Sequence, residues 1–182
     1  MSSALGVGRY TAENLSVTVN GYNQITNPGF SYDAAGNLTS DGANSYAYDG
    51  ESRIKTAAGV TYTYDGDGKR VAKGTGKLYW TGVGSDALDE SDAAGTVNEE
   101  YVFFNGKRIA RLDLPSAAVH FYFSDHLGSA DVVTNADGSV IEQESDYYPF
   151  GGERAITSGP NSYKFTGKER DGGKPGTDGT FS

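Results

Sequence analysis

The chain has 182 residues, among them 26 glycines and 13 tyrosines, lacks cysteine, and carries a formal net charge of −9. The absence of cysteine excludes disulfide bonds and thiol chemistry, and the negative charge disfavours binding to nucleic acid or insertion into an anionic membrane. Hydrophobic residues make up 36% of the chain, below the ~45% usual for globular proteins. This composition favours a thin sheet with one wet face over a thick core.

The chain is predicted to begin with a loose lead-in, because residues 1–9 are small and include glycine. No basic and apolar signal segment opens it, and no run of ~18 apolar residues predicts a membrane span. Residues 15–19 alternate as a half-buried strand that ends at Asn20-Gly21. The predicted organisation is one β domain over residues 10–171, without an internal boundary, and a flexible Gly-rich tail over 172–182.

Three related segments follow, Tyr32–Leu38, Tyr48–Ile54 and Tyr64–Val71, whose tyrosines lie sixteen residues apart. In each segment an aromatic residue ends a strand, Asp and Gly form a turn, a polar or basic residue follows, and an aliphatic residue starts the return strand. A fixed period of this kind indicates a repeated β-hairpin. The residues assigned to the repeat are Tyr32, Asp33, Gly36, Tyr48, Asp49, Tyr64, Asp65 and Gly68.

Each repeat also carries two aromatic residues on one side of a strand, at Phe30/Tyr32, Tyr46/Tyr48 and Tyr62/Tyr64. Across neighbouring strands such residues are expected to stack into ladders that contribute ~0.2–1 kcal/mol per pair. The alternative is that the tyrosine-rich face, together with Trp80, forms an exposed platform that binds carbohydrate.

The strict period stops after Trp80. Residues 82–98 are acidic and turn-rich, so they are predicted to form a long exposed connection or a hairpin tip. A clear hairpin then turns at Asn105-Gly106, the preferred pair for a two-residue turn. Strands are predicted at 119–123 and 132–134, with a turn at 135–138 into a further strand at 140–141, and almost no helix is expected in the whole chain.

The Tyr-Asp-x-x-Gly-Asn-Leu segment resembles the YD repeat of Rhs and YD-repeat proteins. Three later segments resemble motifs of the Rhs-associated core: 121–129 resembles its "DHLGS", 147–151 its "YDPFG" and 163–171 its "FTGKERD". The core-motif residues carried over as structural are Asp125, His126, Leu127, Gly128, Pro149, Phe150, Gly151, Phe165 and Gly167. The resemblance implies an all-β fold, in which antiparallel hairpins form a twisted, solenoid-like strip.

The sequence carries no convincing catalytic, cofactor or metal site. Asp125-His126 beside serines suggests a relay, but sequence neighbours point apart and a triad depends on geometry. His120 is expected to face solvent, and Glu99-Glu100 are expected to be exposed turn acids. Asp65–Gly68 resembles the start of a calcium loop, but Gly76 stands where such a loop needs an acid.

The resemblance also has limits, because Tyr148 replaces the Asp of "YDPFG" and no Asp-Pro pair occurs. Neither the self-cleaving segment nor the toxin domain of many Rhs proteins is therefore expected. The predicted function is a non-enzymatic structural segment of an Rhs-type shell, or a subunit that assembles edge to edge with other copies or with the rest of a longer protein. A surface-exposed carbohydrate-binding or partner-binding module is the alternative. An extracellular or cell-surface location is implied by the resemblance alone.

Overall fold

A computed structural model describes residues 16–82, 84, 86–148 and 151–170. The described residues form antiparallel strands, which confirms the predicted all-β fold. Helical geometry is limited, within these residues, to a three-residue 3-10 turn at Phe165–Gly167, and no helix in this part of the chain is long and apolar enough to span a membrane. The chain divides into two compact units, 1–57 and 58–182.

The first unit contains two hairpins. Strand β1 (Phe30–Tyr32) pairs with β2 (Leu38–Asp41), and β3 (Tyr46–Tyr48) pairs with β4 (Ile54–Ala57). The strand predicted at 15–19 is reduced to a single bridge between Val19 and Ile25, because the chain turns at once over 20–23. The predicted lead-in over 1–9 and the predicted tail over 172–182 lie outside the described residues.

The second unit is an antiparallel sheet in which each strand pairs with the next along the chain. This order follows from short loops, which place consecutive strands side by side. The strands are β5 (Val60–Tyr64), β6 (Arg70–Lys73), β7 (Lys77–Thr81), β8 (Ala87–Ser91), β9 (Val97–Phe104), β10 (Lys107–Asp113), β11 (Ala118–Ser124), β12 (Ala130–Asn135), β13 (Ile141–Tyr147) and β14 (Glu153–Thr157).

One loop design joins many of these strands. The Asp that opens it donates its backbone N–H to the carbonyl four residues on, and its carboxylate accepts N–H bonds from the second and fourth residues after it. The third residue donates back to the Asp carbonyl and takes a positive φ, a conformation that favours glycine. Five aspartates open such loops: Asp33, Asp49, Asp65, Asp92 and Asp125.

Of the two alternatives predicted for residues 82–98, the long exposed connection is wrong, whereas a hairpin tip does lie within the stretch, at residues 92–96. This stretch contains all of β8 and the start of β9, and Ala87, Glu90 and Ser91 are buried. The hairpin that joins the two strands turns at Asp92–Thr96 with the loop design described above. The acidic composition suggested exposure, but the carboxylate of Glu90 is buried among polar partners rather than turned to water.

The predicted Asn105-Gly106 turn is confirmed, with φ of 49° and 74° at its two residues, between β9 and β10. Alternation along the strands gives the second unit two different faces. One face carries the buried tyrosines and charges. The opposite face carries exposed apolar side chains, such as Val102, Phe121 and Phe123.

Candidate functional site

The buried face of the second unit is lined with charged and phenolic side chains, and we call it the charged face. Direct cross-strand pairs place these residues side by side: Tyr79 opposite Glu90, Glu90 opposite Glu99, and Arg111 opposite both Tyr101 and His120. The members of the charged face used below are Arg70, Lys73, Lys77, Tyr79, Glu90, Glu99, Tyr101, Arg108, Arg111, Asp113, His120 and Tyr122.

Residues 161–170, here called the covering segment, lie over the charged face. The segment closes on itself: Lys164 N–H donates to the Lys168 carbonyl, and Arg170 N–H donates to the Ser162 carbonyl. Asn161 adds a bond from its side chain to the Tyr163 carbonyl, at 2.5 Å. The segment is therefore a compact hydrogen-bonded loop that contacts the sheet mainly through its side chains.

The Glu169 side chain is inserted among three cations. Its Oε2 lies 2.5 Å from Arg70 Nη2, and its Oε1 lies 3.5 Å from Lys73 Nζ and 3.4 Å from Lys77 Nζ. The Tyr79 hydroxyl donates to the same carboxylate at 2.7 Å, and the Glu169 side chain is only 3% exposed. Such a carboxylate is tolerated in the interior because it is paired and hydrogen-bonded.

Tyr163 is the second anchor of the covering segment. Its hydroxyl donates to Glu90 Oε1 at 2.5 Å, and its ring lies edge-on to Tyr101, with centroids 5.2 Å apart. Lys77 Nζ donates to the other oxygen of Glu90 at 2.5 Å. Lys77 therefore links the Glu90 and Glu169 carboxylates, so that both anchors share one network.

Glu90 and Glu99 face each other on adjacent strands, and their pKa values shift in opposite directions. Burial raises the pKa of Glu90, and the hydrogen bond that it shares with Glu99 adds to this effect, while Lys77 and Tyr163 oppose it. Burial also opposes ionisation of Glu99, but hydrogen bonds from Glu90 and Tyr101 outweigh it and lower that pKa. Of the two carboxyl groups, Glu90 is therefore the one whose environment favours the neutral form more.

Arg108 is held by aromatic rings. Its guanidinium carbon lies 3.4 Å from the centre of the Tyr163 ring, 4.7 Å from that of Tyr101 and 5.0 Å from that of Phe103. Nη1 donates to the Gly167 carbonyl at 3.3 Å, while the buried Nε and Nη2 have no hydrogen-bond partner among the described residues. The aromatic contacts thus compensate for the missing hydrogen bonds only in part.

His120 belongs to a separate cluster, which corrects the prediction that it faces solvent. The residue is 8% exposed, with Nδ1 2.5 Å from Glu142 Oε2 and Nε2 3.0 Å from Asp113 Oδ2. Asp113 also binds Arg111 through two bonds, of 2.5 and 3.0 Å. Each ring nitrogen of His120 therefore faces a carboxylate oxygen at hydrogen-bonding distance.

A cleft of about 290 Å³ opens where the covering segment meets β5–β8. Its wall carries basic Lys69, Arg70 and Lys168 together with acidic Asp86 and Glu169. Lys168 Nζ lies 3.4 Å from Asp86 Oδ1. The cleft is an open, polar extension of the Glu169 site, and its mixed charges favour no single class of substrate.

The predicted motif residues lie in loops and at strand ends, and they do not form a common site. Asp125 accepts backbone N–H bonds from Leu127 and Ser129 at 2.8 Å each, and His126 is exposed, so the sequence Ser-His-Asp does not form a relay. Asp65 opens a hairpin turn, and no cluster of metal-ligating side chains occurs in the described ranges. Tyr32, Tyr48 and Tyr64 end β1, β3 and β5.

The core motifs lie around the covering segment. Phe165 packs against the Tyr147 ring, with centroids 5.9 Å apart, and against Gly151, where an added Cβ would lie 2.9 Å from the Phe165 ring. Gly167 takes a positive φ of 69° and accepts the Arg108 bond. Pro149 and Phe150 lie outside the described residues.

Sequence reasoning missed most of the charged face. Glu99 was expected to be an exposed turn acid, but it lies in β9 on this face, while Glu100 beside it is exposed. Glu90 was assigned to an exposed connection. Glu169 was noticed only as part of a motif, and a sequence gives no signal that a carboxylate will meet cations some 90 residues distant, as Glu169 meets Lys77.

No protein-family model and no curated protein matches the sequence. The fold is similar to solved structures of Tc toxin components. One is a crystal structure of TcdB2-TccC3-TEV, with a TM-score of 0.55, 17% identity, and coverage of 77% of this chain. Another is the Photorhabdus luminescens Tc holotoxin pore with a mutated TccC3, with a TM-score of 0.53, 16% identity and the same coverage. This chain spans 8% of the length of each, and at these identities the likeness shows the fold alone.

Proposed function

We propose that the chain is a non-enzymatic structural β-repeat segment that joins further strands at the edge of its sheet, as part of an Rhs-type shell or as a self-assembling subunit. The observation that carries this proposal is the sequential antiparallel order of β5 to β14, which ends at a strand with no partner among the described residues on its outer side. Four of the five residues of β14 are exposed. Such an edge offers unpaired backbone groups to another strand.

The likeness in fold to Tc toxin components supports the structural part of this proposal, since it extends over 77% of this chain and lies within far longer chains. The YD and core motifs support an Rhs-type architecture, and through it an extracellular or cell-surface location. The charged face supports the non-enzymatic part, because its carboxylates are engaged by side chains of the protein itself.

The test is light scattering with negative-stain imaging of the purified chain over a concentration series. Growth of regular polymers, with a β-rich circular dichroism spectrum, supports edge-to-edge assembly. A compact monomer at every concentration contradicts self-assembly, so that the chain would then be a segment of a longer shell protein.

A second candidate function is a binding module for carbohydrate or a cell-surface partner. One observation favours it: Trp80 is 50% exposed on the face opposite the charged face, and it is the single tryptophan of the chain. The tyrosine platform is less suited to this role, because Tyr62, Tyr79, Tyr101 and Tyr122 are buried. Quenching or shift of the Trp80 emission by added glycans supports this function, and an unchanged spectrum across a glycan panel contradicts it.

A further inference from the structure

The covering segment behaves as a ligand of the charged face. It is joined to itself by the Lys164–Lys168 and Arg170–Ser162 backbone bonds, so its shape does not depend on adding a strand to the sheet. A preformed loop loses little conformational entropy on docking. Its backbone bonds to the sheet region include Ala130 N–H to the Lys164 carbonyl and Thr166 N–H to Ser129 Oγ.

Recognition by the charged face is instead chemical. Three cations and the Tyr79 hydroxyl converge on Glu169. Glu90 accepts a hydrogen bond from the Tyr163 hydroxyl, and the Arg108 guanidinium lies over the Tyr163 ring. At the other end of the segment, Tyr122 donates to Asn161 at 3.0 Å. If the segment lifts, Arg70, Lys73 and Lys77 lose the Glu169 carboxylate that they share. The groove that the segment occupied, lined by these cations, Tyr79 and Glu90, can then accept another carboxylate.

We propose that the covering segment is exchangeable, and that the groove of the charged face also binds residues 161–170 of a second copy of this chain. The partner is a second copy because its segment carries the tyrosine and the glutamate at the spacing for which the two anchors are built. The three cations Arg70, Lys73 and Lys77 complement the Glu169 carboxylate that the second copy's segment would insert. Glu153 of β14 pairs with Lys164 and Arg170 of the covering segment, but this inference rests on the anchors Glu169 and Tyr163 and needs no strand added at the edge of β14.

The decisive experiment mixes two full-length variants. Glu169→Gln leaves the groove intact but weakens the binding of the variant's own segment to it. Arg70→Gln/Lys73→Gln leaves the segment intact but weakens the affinity of the groove for it. By analytical ultracentrifugation the mixture is expected to form a 1:1 heterodimer at least ten-fold more tightly than either variant self-associates. Glu100→Gln, which changes an exposed glutamate of β9, is the matched control and is expected to leave the wild-type association unchanged.

A labelled peptide of residues 159–170 tests the same groove directly. Folded Glu169→Gln chain is expected to bind the peptide at least ten-fold more tightly than wild type does, and a peptide with Gln in place of Glu169 is expected to bind at least ten-fold more weakly. No heterodimer, together with no peptide binding to a folded Glu169→Gln chain, overturns the proposal. The edge assembly proposed above is tested separately by Ile156→Lys, which changes an exposed residue of β14 and leaves the anchors Glu169 and Tyr163 in place.

Hydrogen exchange of the wild-type chain keeps the proposal testable if the variants do not fold. The amides of Ala130 and Thr166, whose hydrogen bonds join the covering segment to the sheet region, are expected to exchange at least ten-fold faster than the amides of β10. If these amides are as strongly protected from hydrogen exchange as those of β10, the segment opens only when the whole unit unfolds. That result overturns the proposal that the segment is exchanged between copies.

Discussion

At the scale of single residues, the chain places many carboxylates where hydrogen bonds hold them ionised. Asp41 in the first unit is the clearest case. Partial burial opposes its ionisation, but bonds from the Tyr46 hydroxyl and from the backbone of Asn44 and Ala43 lower its pKa to about 2. The pKa values of Asp33 and Asp49 are lowered as well, with bonds from Asn37 and Arg53 as the leading causes.

These shifts predict a loss of stability in acid. A carboxyl group with a depressed folded pKa contributes stability that is complete above the unfolded value of 3.8 and is lost as the pH falls toward the folded value. The free energy of unfolding is therefore expected to fall between about pH 4 and pH 2, with a share of roughly 1 kcal/mol from Asp41 after solvent screening. Urea unfolding at a series of pH values measures it. Asp41→Asn is expected to flatten the profile, and an equally steep profile in this variant contradicts the assignment.

Arg108 and Arg111 offer a second residue-scale prediction, because both are buried but only Arg111 has a carboxylate partner. Removing an unpaired buried cation relieves its desolvation, which offsets the lost aromatic contacts. Arg108→Met is therefore expected to leave the free energy of unfolding within about 1 kcal/mol of wild type or to raise it, whereas Arg111→Met is expected to lower it by roughly 2 kcal/mol. Urea unfolding of the two variants measures the contrast, and a larger loss for Arg108→Met would contradict this account.

At the scale of elements, the recurring unit is the Asp-opened loop. Asp92-Ala93-Ala94-Gly95-Thr96 differs from Asp33-Ala34-Ala35-Gly36-Asn37 only in its last residue, and both adopt the same hydrogen-bonded turn. The sequence signal for the β8–β9 hairpin was therefore present. It was missed because no tyrosine precedes Asp92, so the tyrosine period concealed the simpler Asp-x-x-Gly pattern.

This loop design predicts the effect of substitutions at Asp92. Asp92→Ala removes the acceptor of the Ala94 and Thr96 N–H bonds, both at 2.9 Å, and is expected to cost about 1 kcal/mol of unfolding free energy in this exposed turn. Asp92→Asn keeps a side-chain oxygen and is expected to cost less than half as much. Asp67→Asn, in a loop position whose side chain is exposed, serves as the control. Equal losses for Asp92→Ala and Asp92→Asn would show that the carboxylate oxygen does not hold the turn.

The sequence predicted local structure far better than it predicted the charged face. Turn chemistry placed the hairpin at Asn105-Gly106 and the repeat turns, because these depend on backbone preferences of a few adjacent residues. The burial of Glu90, Glu169 and His120 depends on residues distant in sequence that meet across strands and loops. A composition rule that assigns charges to the surface fails wherever such partners converge.

At the scale of the whole molecule, the second unit reverses the usual distribution of side chains. Its covered face is polar and aromatic, and its open face exposes Val102, Phe121 and Phe123. A sheet with a hydrogen-bonded polar interior gains stability from satisfied networks as well as from apolar burial, so its structure depends on specific partners. The covering segment supplies several of these partners, among them Tyr163 and Glu169, so the polar interior is complete only when the segment covers the sheet.

Edge-to-edge assembly would depend on β14, the terminal strand of the sheet. Ile156 in β14 is 53% exposed, and so is Val140, which lies in the turn before β13. A lysine on a sheet edge discourages another strand from pairing there, because docking would bury its charge. If the chain assembles edge to edge, Ile156→Lys is expected to lower the light scattering of concentrated samples at least five-fold, while Val140→Lys leaves it near the wild-type level. Equal effects of the two substitutions would assign the association to the exposed apolar surface rather than to the open edge of β14.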